Sequence, residues 1–600
     1  MKLKHVHISN FRSIDNIEFD CADLTIFVGK NSVGKSNVLS AIDLFFNTSD
    51  RILTEGMYCT FAEEKDEIVV ELTFDNLSEH ERVGRLQKYV CQTFGPGMRV
   101  RKVVERENGK LKSYYHGWLE EPKVKWLQSD FREYGKQAFW QDQKIDFFAY
   151  TSAPGGRISR ELFDEFRSNY IEKHKRELEF EVRLSETEFE GLKNVGRDML
   201  PRFELVPAVG DVSEVVIGKK TSLLNRIVSQ ILRSVMGNSG ILMDAQEGLE
   251  AAGALINRDG PTPRLDQVGA LEDWFRKEFA EWGSIDFRIS TSFPGIDELL
   301  TQNLAVLVDD GSVGDIATKG HGLQRQLIYR AIKLSGALVK GEVDWVNVKD
   351  VLPEFPSIIL AFEEPELYLH PQAQLAFYDD IRKLSEHDQV LLCTHSTHLV
   401  DVQDFEGVKI LTRNSLNSAT RICECTKDIF NDLPLKKQLA LAKLFDANVN
   451  KMFFADKIIL VEGHEDVIAM TEVAKKHANC FSHRVTIVNA GGKGSIPHLQ
   501  RVLNAFKIPY TVVYDVDPGN DKSQSIGAKI EASIKESPWG LCSSMPMDPD
   551  LPTIVGYGDR KNQKDEACID YLSKNAPSER FCEIVRTLYE LPKAGILTPG

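Results

Sequence analysis

"DLTIFVGKNSVGKSNVLSAIDLFF", residues 23–46, passes from an apolar run through a glycine-bearing loop into a segment with apolar residues at helical spacing. The loop from Gly29 to Ser36 has the spacing G-x-x-x-x-G-K-[ST], and it stands between strand and helix as that pattern requires. Asn31, Ser32 and Gly34 belong to a loop whose backbone N–H groups can close on a phosphate at a helix N-terminus, where the helix dipole also favours an anion. Lys35 is placed to reach the β- and γ-phosphates of ATP, and Ser36 to hold Mg²⁺. A nucleotide site of this kind needs acids at the ends of neighbouring strands.

"PSIILAFEEPELYLHP", residues 356–371, supplies them. Ile358 to Phe362 reads as a buried parallel strand, with Glu363 and Glu364 at its C-terminal end, where doubly wound sheets bind ligands. Glu363 is expected to hold the metal through water and Glu364 to polarise the attacking water. A second apolar strand, "QVLLCTHSTHLV" (389–400), ends in Thr394, His395 and Ser396. A single histidine is more often structural, but the same strand-end logic brings His395 to the γ-phosphate.

Together these stretches resemble the ATP-binding-cassette type of ATPase, in the branch that includes SMC and RecF proteins. "ISNFRSI" (8–14), with Arg12 ahead of the phosphate loop, is similar to the opening of that branch, and "KGHGLQRQLIY" (319–329) to its signature motif. The resemblance implies that Gly320, Gly322 and Gln324 act on the nucleotide of a partner subunit, and hence that the chain forms a homodimer or higher homo-oligomer. Two departures are visible: Glu363 stands where Asp is usual, and His321 where many relatives have Ser. The Q-loop is assigned to residues 144–157, ending at Arg157.

Composition limits the remaining possibilities. Six hundred residues suggest three or four domains, and 73 Lys+Arg against 89 Asp+Glu leave a net charge of −16, so a polyanion must bind through local patches or metals. "GMRVRKVVER", with Arg99, Arg101 and Lys102, is the candidate basic patch. The ten cysteines are scattered, and Cys423 and Cys425 lack zinc-ribbon or thioredoxin-like spacing, which favours reduced thiols and a cytoplasmic setting. No run approaches the roughly 18 apolar residues of a membrane span, and no signal peptide is evident.

The α/β pattern restarts near residue 450. Lys457 to Val461 reads as a strand ending in Glu462 and Gly463, followed by a helix from about Asp466. "RVTIVNAGGKGS" (484–495) ends in Gly491, Gly492 and Gly494, and "YTVVYDVDPG" (510–519) ends in Asp515 and Asp517. Three parallel strands presenting Glu462, a glycine turn and an Asp pair at one sheet edge make an oxygen-rich site suited to Mg²⁺ or Mn²⁺. Helix-dipole preference explains Glu465 and Asp466 alone, but not Glu462 or Asp515. Tyr514 alternates to the opposite face and is not expected to act as a nucleophile.

This second segment resembles the Toprim domain of topoisomerases, primases and certain nucleases, with Glu462, Asp466, Asp515 and Asp517 on its acidic positions. The order of both segments resembles the overcoming-lysogenization-defect (OLD) family of nucleases, to which the nuclease subunit of Gabija-type antiphage systems belongs. The resemblance implies an ATP-controlled, two-metal DNA endonuclease in antiphage defence. Lys564 matches a late family lysine, Lys561 and Glu566 lie beside it, and Asp548 and Asp550 are further ligand candidates. A UvrD-like helicase partner belongs to the same expectation. The alternative is a RecF-like ATP-dependent DNA clamp or sensor without cleavage.

The expected fold class is α/β: an ABC-type, SMC/RecF-like ATPase domain with a helical insert, followed by a Rossmann-like Toprim domain. The expected boundaries are 1–160 and 290–430 for the ATPase domain, 161–289 for a mainly helical insert and dimerisation region, 431–450 for a helical connector, and 451–600 for the Toprim domain with a helical C-terminal part.

Overall fold

The computed structural model describes residues 1–140, 159–189, 200–208, 239–256, 265–278, 307–320, 358–413, 419–425, 449–537, 542–557 and 564–590, less a few positions inside these ranges and with isolated positions between them. Two compact units are present: Met1–Leu205 with Pro356–Gly600, and Val206–Phe355.

Among the described residues, the first unit holds three sheets. Strands β1 (Lys2–Phe11), β2 (Ile14–Asp20), β4 (Ile68–Asp75), β5 (Val90–Cys91), β6 (Gly97–Glu107), β7 (Lys110–Pro122) and β8 (Phe180–Leu184) form an antiparallel sheet with the path β2-β1-β4-β6-β7-β8, on which β5 also pairs with β6. The second sheet contains β3 (Leu24–Val28), β9 (Arg202–Val206), β12 (Ile358–Glu363), β13 (Gln389–Cys393), β14 (Val408–Arg413) and β15 (Thr420–Glu424), ordered β15-β14-β3-β13-β12-β9. Its centre, β14-β3-β13-β12, is parallel. Every residue of β3 and β13 is buried, as expected of strands covered on both faces.

Helix α1 (Lys35–Asn47) packs beneath these sheets through Val38, Leu39, Ile42 and Phe45, joining both to one core. Helix α2 (Arg160–His174) follows β7 and buries Phe163 and Phe166 against Trp126 and Trp140. The second unit contains α3 (Gly240–Ala254), α4 (Asp266–Glu278) and the short pair β10 (Leu307–Asp309) and β11 (Val313–Asp315). Between β12 and β13 lies α5 (Pro371–Ser385).

The expected helical segment 161–289 therefore divides. Helix α2, β8 and most of β9 belong to the first unit, whereas the residues from 206 to 355, including the signature stretch, belong to the second. The mixed charge of "EFEVRL" suggests a solvated helix face, but the segment runs into β8, where Arg183 is paired across strands: its Nη2 lies 2.7 Å from Glu121 Oε2 on β7.

A 3₁₀ turn at Asn450–Phe454 leads into the third sheet. It comprises β16 (Lys457–Val461), β17 (Val485–Asn489), β18 (Tyr510–Asp515) and β19 (Ser543–Met547), all parallel, in the order β17-β16-β18-β19. Its helices are α6 (His464–Lys476), α7 (Ile496–Ala505), α8 (Asp521–Lys535), α9 (Leu551–Val555), α10 (Lys564–Lys574) and α11 (Glu579–Tyr589). Ile459, Val461 and Val513 share a core with Met470, Val473, Phe581 and Val585. Among the described residues no helix is long and apolar enough to cross a membrane.

Candidate active sites

Parallel register brings three strand ends together in the second sheet. Cys393 lies opposite both Phe27 and Glu363, so the loop after β3 and the acids after β12 share one edge. The loop bends back through Gly29 (φ 147°), Ser32 (φ 63°) and Gly34 (φ 108°). A Cβ at Gly29 would stand 2.4 Å from the Leu411 carbonyl oxygen, and one at Gly34 would stand 2.2 Å from Thr420 Oγ1, so neither position accepts a side chain as the loop is built. Lys35 Nζ is buried and donates to the carbonyls of Gly29 (3.0 Å) and Lys30 (2.8 Å). Burial lowers its pKa, and Glu364 and Glu366 oppose that shift. An ammonium held by two carbonyls at a helix N-terminus can exchange them for phosphate oxygens, so the loop fits a nucleotide.

Glu364 is held at φ 44°, and His395 Nε2 lies 3.5 Å from its Oε1. Burial, followed by the charge of Lys35, pushes the His395 pKa down to about 4, which leaves a neutral imidazole near pH 7. Glu366, absent from the sequence expectations, accepts a 2.5 Å bond from the His395 backbone N–H. Burial raises its pKa, and its carboxylate fixes the start of the loop that follows β13. The sequence signal was a third acid in "EEPE".

The second acidic site lies at the C-terminal ends of β16 and β18. Glu462 Oε1 accepts the Asp515 backbone N–H at 2.8 Å, tying the two strand ends together. Asp515 Oδ1 accepts from Leu551 N (2.8 Å), Asp517 Oδ2 from Ser523 Oγ (2.6 Å), and Asp466 Oδ2 from Gly463 N (2.9 Å). Burial and the neighbouring carboxylates raise Asp515 to about 8, and burial with Glu462 and Glu465 raises Asp466 to about 7. Lys493, also missing from the sequence expectations, enters this cluster from the glycine turn, 3.7 Å from Asp517 Oδ2 and 4.0 Å from Glu462 Oε1.

Burial, with nearby carboxylates added, disfavours ionisation of Asp515 and Asp466, so the cluster is a donor set that a hard divalent cation would relieve, and all the donors are oxygen. In the present rotamers no three of them converge on a metal-binding point among the described residues, because each is turned to a protein donor.

A family model described as an AAA ATPase domain matches residues 1–400, two thirds of the 600-residue chain. The chain belongs to the AAA ATPase domain family. A model of the overcoming lysogenization defect protein-like TOPRIM domain matches residues 453–517, which hold Glu462, Asp466, Asp515 and Asp517. This AAA ATPase is 21% identical to the Old nuclease of Escherichia phage P2 over 537 residues, 86% of the chain and 77% of the relative. It is 32% identical to the OLD nuclease of Thermus scotoductus over 160 residues, covering 26% of the chain and 30% of that protein. Identity to Endonuclease GajA of Bacillus cereus is 22% over 28% of the chain and 27% of that protein. Among solved structures, an SMC head bound to the C-winged helix domain of ScpA covers 73% of the chain and 100% of its own, at 13% identity and a TM-score of 0.34.

The ATPase and TOPRIM portions meet inside one compact unit. Asn450 is buried, and its Nδ2 donates to the carbonyls of Thr397 (3.1 Å) and Val400 (2.8 Å), in the loop that begins at His395. Phe506, at the end of α7, packs between Phe405 (5.5 Å) and Phe453 (5.7 Å).

Other expected site residues lie elsewhere or outside the described residues. Arg12 donates to Asn37 and Ser40 on α1, at 3.3 and 3.2 Å, rather than to the phosphate loop. Gly320 and Gln324 are in the second unit, where Gln324 Nε2 turns back to the Lys319 carbonyl (2.9 Å); Gly322 is not described. Residues 144–157, Lys561 and the expected connector up to residue 448 are also outside the described residues. Lys564 opens α10, preceding Glu566 in the same first turn. Asp550 caps α9 by accepting from Thr553 N (2.9 Å), a structural use of a ligand candidate. Glu465 takes its hydrogen bond from the Tyr557 hydroxyl.

The basic stretch on β6 is corrected as a DNA grip. Arg101 lies 2.7 Å from Glu71, Arg99 lies 3.5 Å from the same carboxylate, and Lys102 is buried, donating to the carbonyls of Leu44 and Thr48. Strand alternation puts Arg99 and Arg101 into cross-strand pairing with Glu71 and turns Lys102 inward to the end of α1.

Proposed function

We propose that the protein is an ATP-controlled, divalent-metal-dependent DNA endonuclease that acts in antiphage defence. The observation that carries this reading is the gathering of Glu462, Asp515 and Asp517 at adjacent parallel strand ends, in the same compact unit as a glycine loop built around Lys35. The nuclease names of the relatives support the same direction. Mg²⁺ or Mn²⁺ held by Glu462, Asp466, Asp515 and Asp517 would activate water and stabilise the leaving oxygen of a phosphodiester.

At the nucleotide, Lys35 binds phosphate, Ser36 and Glu363 are assigned to Mg²⁺, and Glu364 orients water. Neutral His395 beside Glu364 is suited to accept or donate a hydrogen bond at the γ-phosphate. ATP control is supported by Asn450, which joins the His395 loop to the turn immediately before β16, whose end carries Glu462. A homodimer completing its ATP sites through Gly320, Gly322 and Gln324, a cytoplasmic location and a helicase partner complete the proposal.

The test is cutting of supercoiled plasmid by the full chain with Mg²⁺ or Mn²⁺, with and without ATP. Nicked or linear product that disappears in Glu462→Gln, with ATP hydrolysis intact, is the expected result. The rival, an ATP-dependent DNA clamp or sensor, is favoured by the engagement of every TOPRIM acid with a protein donor. DNA retention without product under either metal would establish that rival and end the nuclease reading.

A further inference from the structure

The glycine turn after β17 has a specific geometric result. Gly491 (φ 69°) and Gly492 (φ 130°) reverse the chain, and Gly492 N donates to the Glu462 carbonyl at 2.6 Å. The next residue, Lys493, is thereby swung under the ends of β16 and β18, where it is 8% exposed. An ammonium so deeply placed needs oxygen partners, since burying an unpaired charge is prohibitive.

Those partners divide into two groups. Lys493 Nζ donates to the Asp515 carbonyl and to Ser523 Oγ (2.6 Å), both neutral oxygens. Ser523 passes the interaction on, donating to Asp517 Oδ2 at 2.6 Å. The carboxylates of Asp517 and Glu462 stand farther from the ammonium, at 3.7 and 4.0 Å. The lysine thus compensates their charge while its shorter bonds go elsewhere, which leaves it compatible with carboxylate oxygens that engage a metal.

We propose that Lys493 is a positioning residue, a resident counter-cation that keeps Glu462, Asp515 and Asp517 assembled at their strand ends before a divalent cation binds. This rests on the cation-binding reading of the cluster given above. Lys493 and the metal then perform overlapping electrostatic work, so the metal substitutes in part for the lysine. A lysine that merely packed on the Tyr514 ring, 5.0 Å away, would have no such link to metal.

The experiment compares thermal unfolding of full-length wild type, Lys493→Met and Lys493→Arg in EDTA and in saturating Mg²⁺ or Mn²⁺. Lys493→Met is expected to lower the Tm by about 3 °C or more in EDTA, with the deficit at least halved by metal. Lys493→Arg, which keeps the charge, should recover most of the loss. An equal deficit with and without metal, or no deficit in EDTA, overturns the role of Lys493.

If Lys493→Met does not fold, Lys493→Met combined with Asp517→Asn removes one carboxylate along with the ammonium and should restore folding in EDTA. Failure of that pair to fold also overturns the proposal. A wild-type Tm that neither cation raises overturns the cation-site reading itself and this inference with it. A wild-type rise beside an equal deficit overturns the lysine's role alone.

Discussion

Asn450→Ala tests the proposed coupling between the ATP site and the TOPRIM site. The side chain is 3% exposed and donates to Thr397 O at 3.1 Å and Val400 O at 2.8 Å, so truncation leaves two carbonyls without that donor at the junction. Each lost bond costs about 1 kcal/mol, and more where the stranded carbonyl stays dry, giving on the order of 2 kcal/mol for the pair. Coupling energies between sites are typically about 1–3 kcal/mol. A loss near 2 kcal/mol corresponds to a roughly 30-fold change in an equilibrium, enough to erase most of an ATP effect.

The assay is single-turnover plasmid cutting with and without ATP, alongside steady-state ATP hydrolysis and thermal unfolding. Neither phosphate-loop nor TOPRIM acids are altered, so ATP hydrolysis and ATP-free cutting should stay within about threefold of wild type. The ratio of cutting rates with and without ATP should move to near one, whichever its initial direction. A lowered Tm, proving that the contact was lost, together with an unchanged ATP ratio would refute this route of coupling.

Lys35→Ala should reduce ATP hydrolysis by at least about 100-fold, since the ammonium at the phosphate loop supplies charge stabilisation that water does not replace; phosphate release measures it, and ATP-free plasmid cutting should persist. Asp515→Asn keeps an acceptor for Leu551 N–H but removes a carboxyl whose ionisation burial and the neighbouring carboxylates disfavour. It should abolish cutting, spare ATP hydrolysis and raise the Tm in EDTA; a lowered Tm with lost hydrolysis would contradict separate sites. Lys102, pushed down to about 8 by burial, titrates higher in the unfolded chain, so its contribution to stability grows as pH rises from about 8 toward about 10.5. Urea unfolding of Lys102→Met at pH 7 and 9.5 should show wild type gaining on the variant by on the order of 1–2 kcal/mol at the higher pH; a constant difference would show that Lys102 does not titrate in this window.

Sequence was most informative where chemistry and local conformation coincide. The stretch 23–46 contains its own strand, turn glycines and helix, and Gly29 and Gly34 lie in the positive-φ region that the phosphate-loop pattern requires. Glu363, Glu364 and His395 follow apolar strands whose register could be anticipated, because parallel strands align their C-terminal ends. The same reasoning placed Glu462 beside Asp515.

It was least informative where a charge finds its partner across the fold. Arg183 and Arg101 belong to charged stretches that read locally as exposed, yet each meets a glutamate on an adjacent strand, Glu121 and Glu71. Lys493 appeared only as a letter among glycines, and Glu366 as one acid among three; their roles depend on what the chain returns to their side from 22 and 29 residues away.

The sequence by itself therefore determined the two candidate centres and their order, since each is written in short spacings that dictate strand, turn and helix. Only the tertiary structure decided which charges are paired within the fold, that Asn450 bridges the His395 loop to the strand leading to Glu462, and that Lys493 stands among the TOPRIM acids. Local spacing constrains backbone conformation, whereas charge pairing and burial depend on contacts between residues distant in sequence.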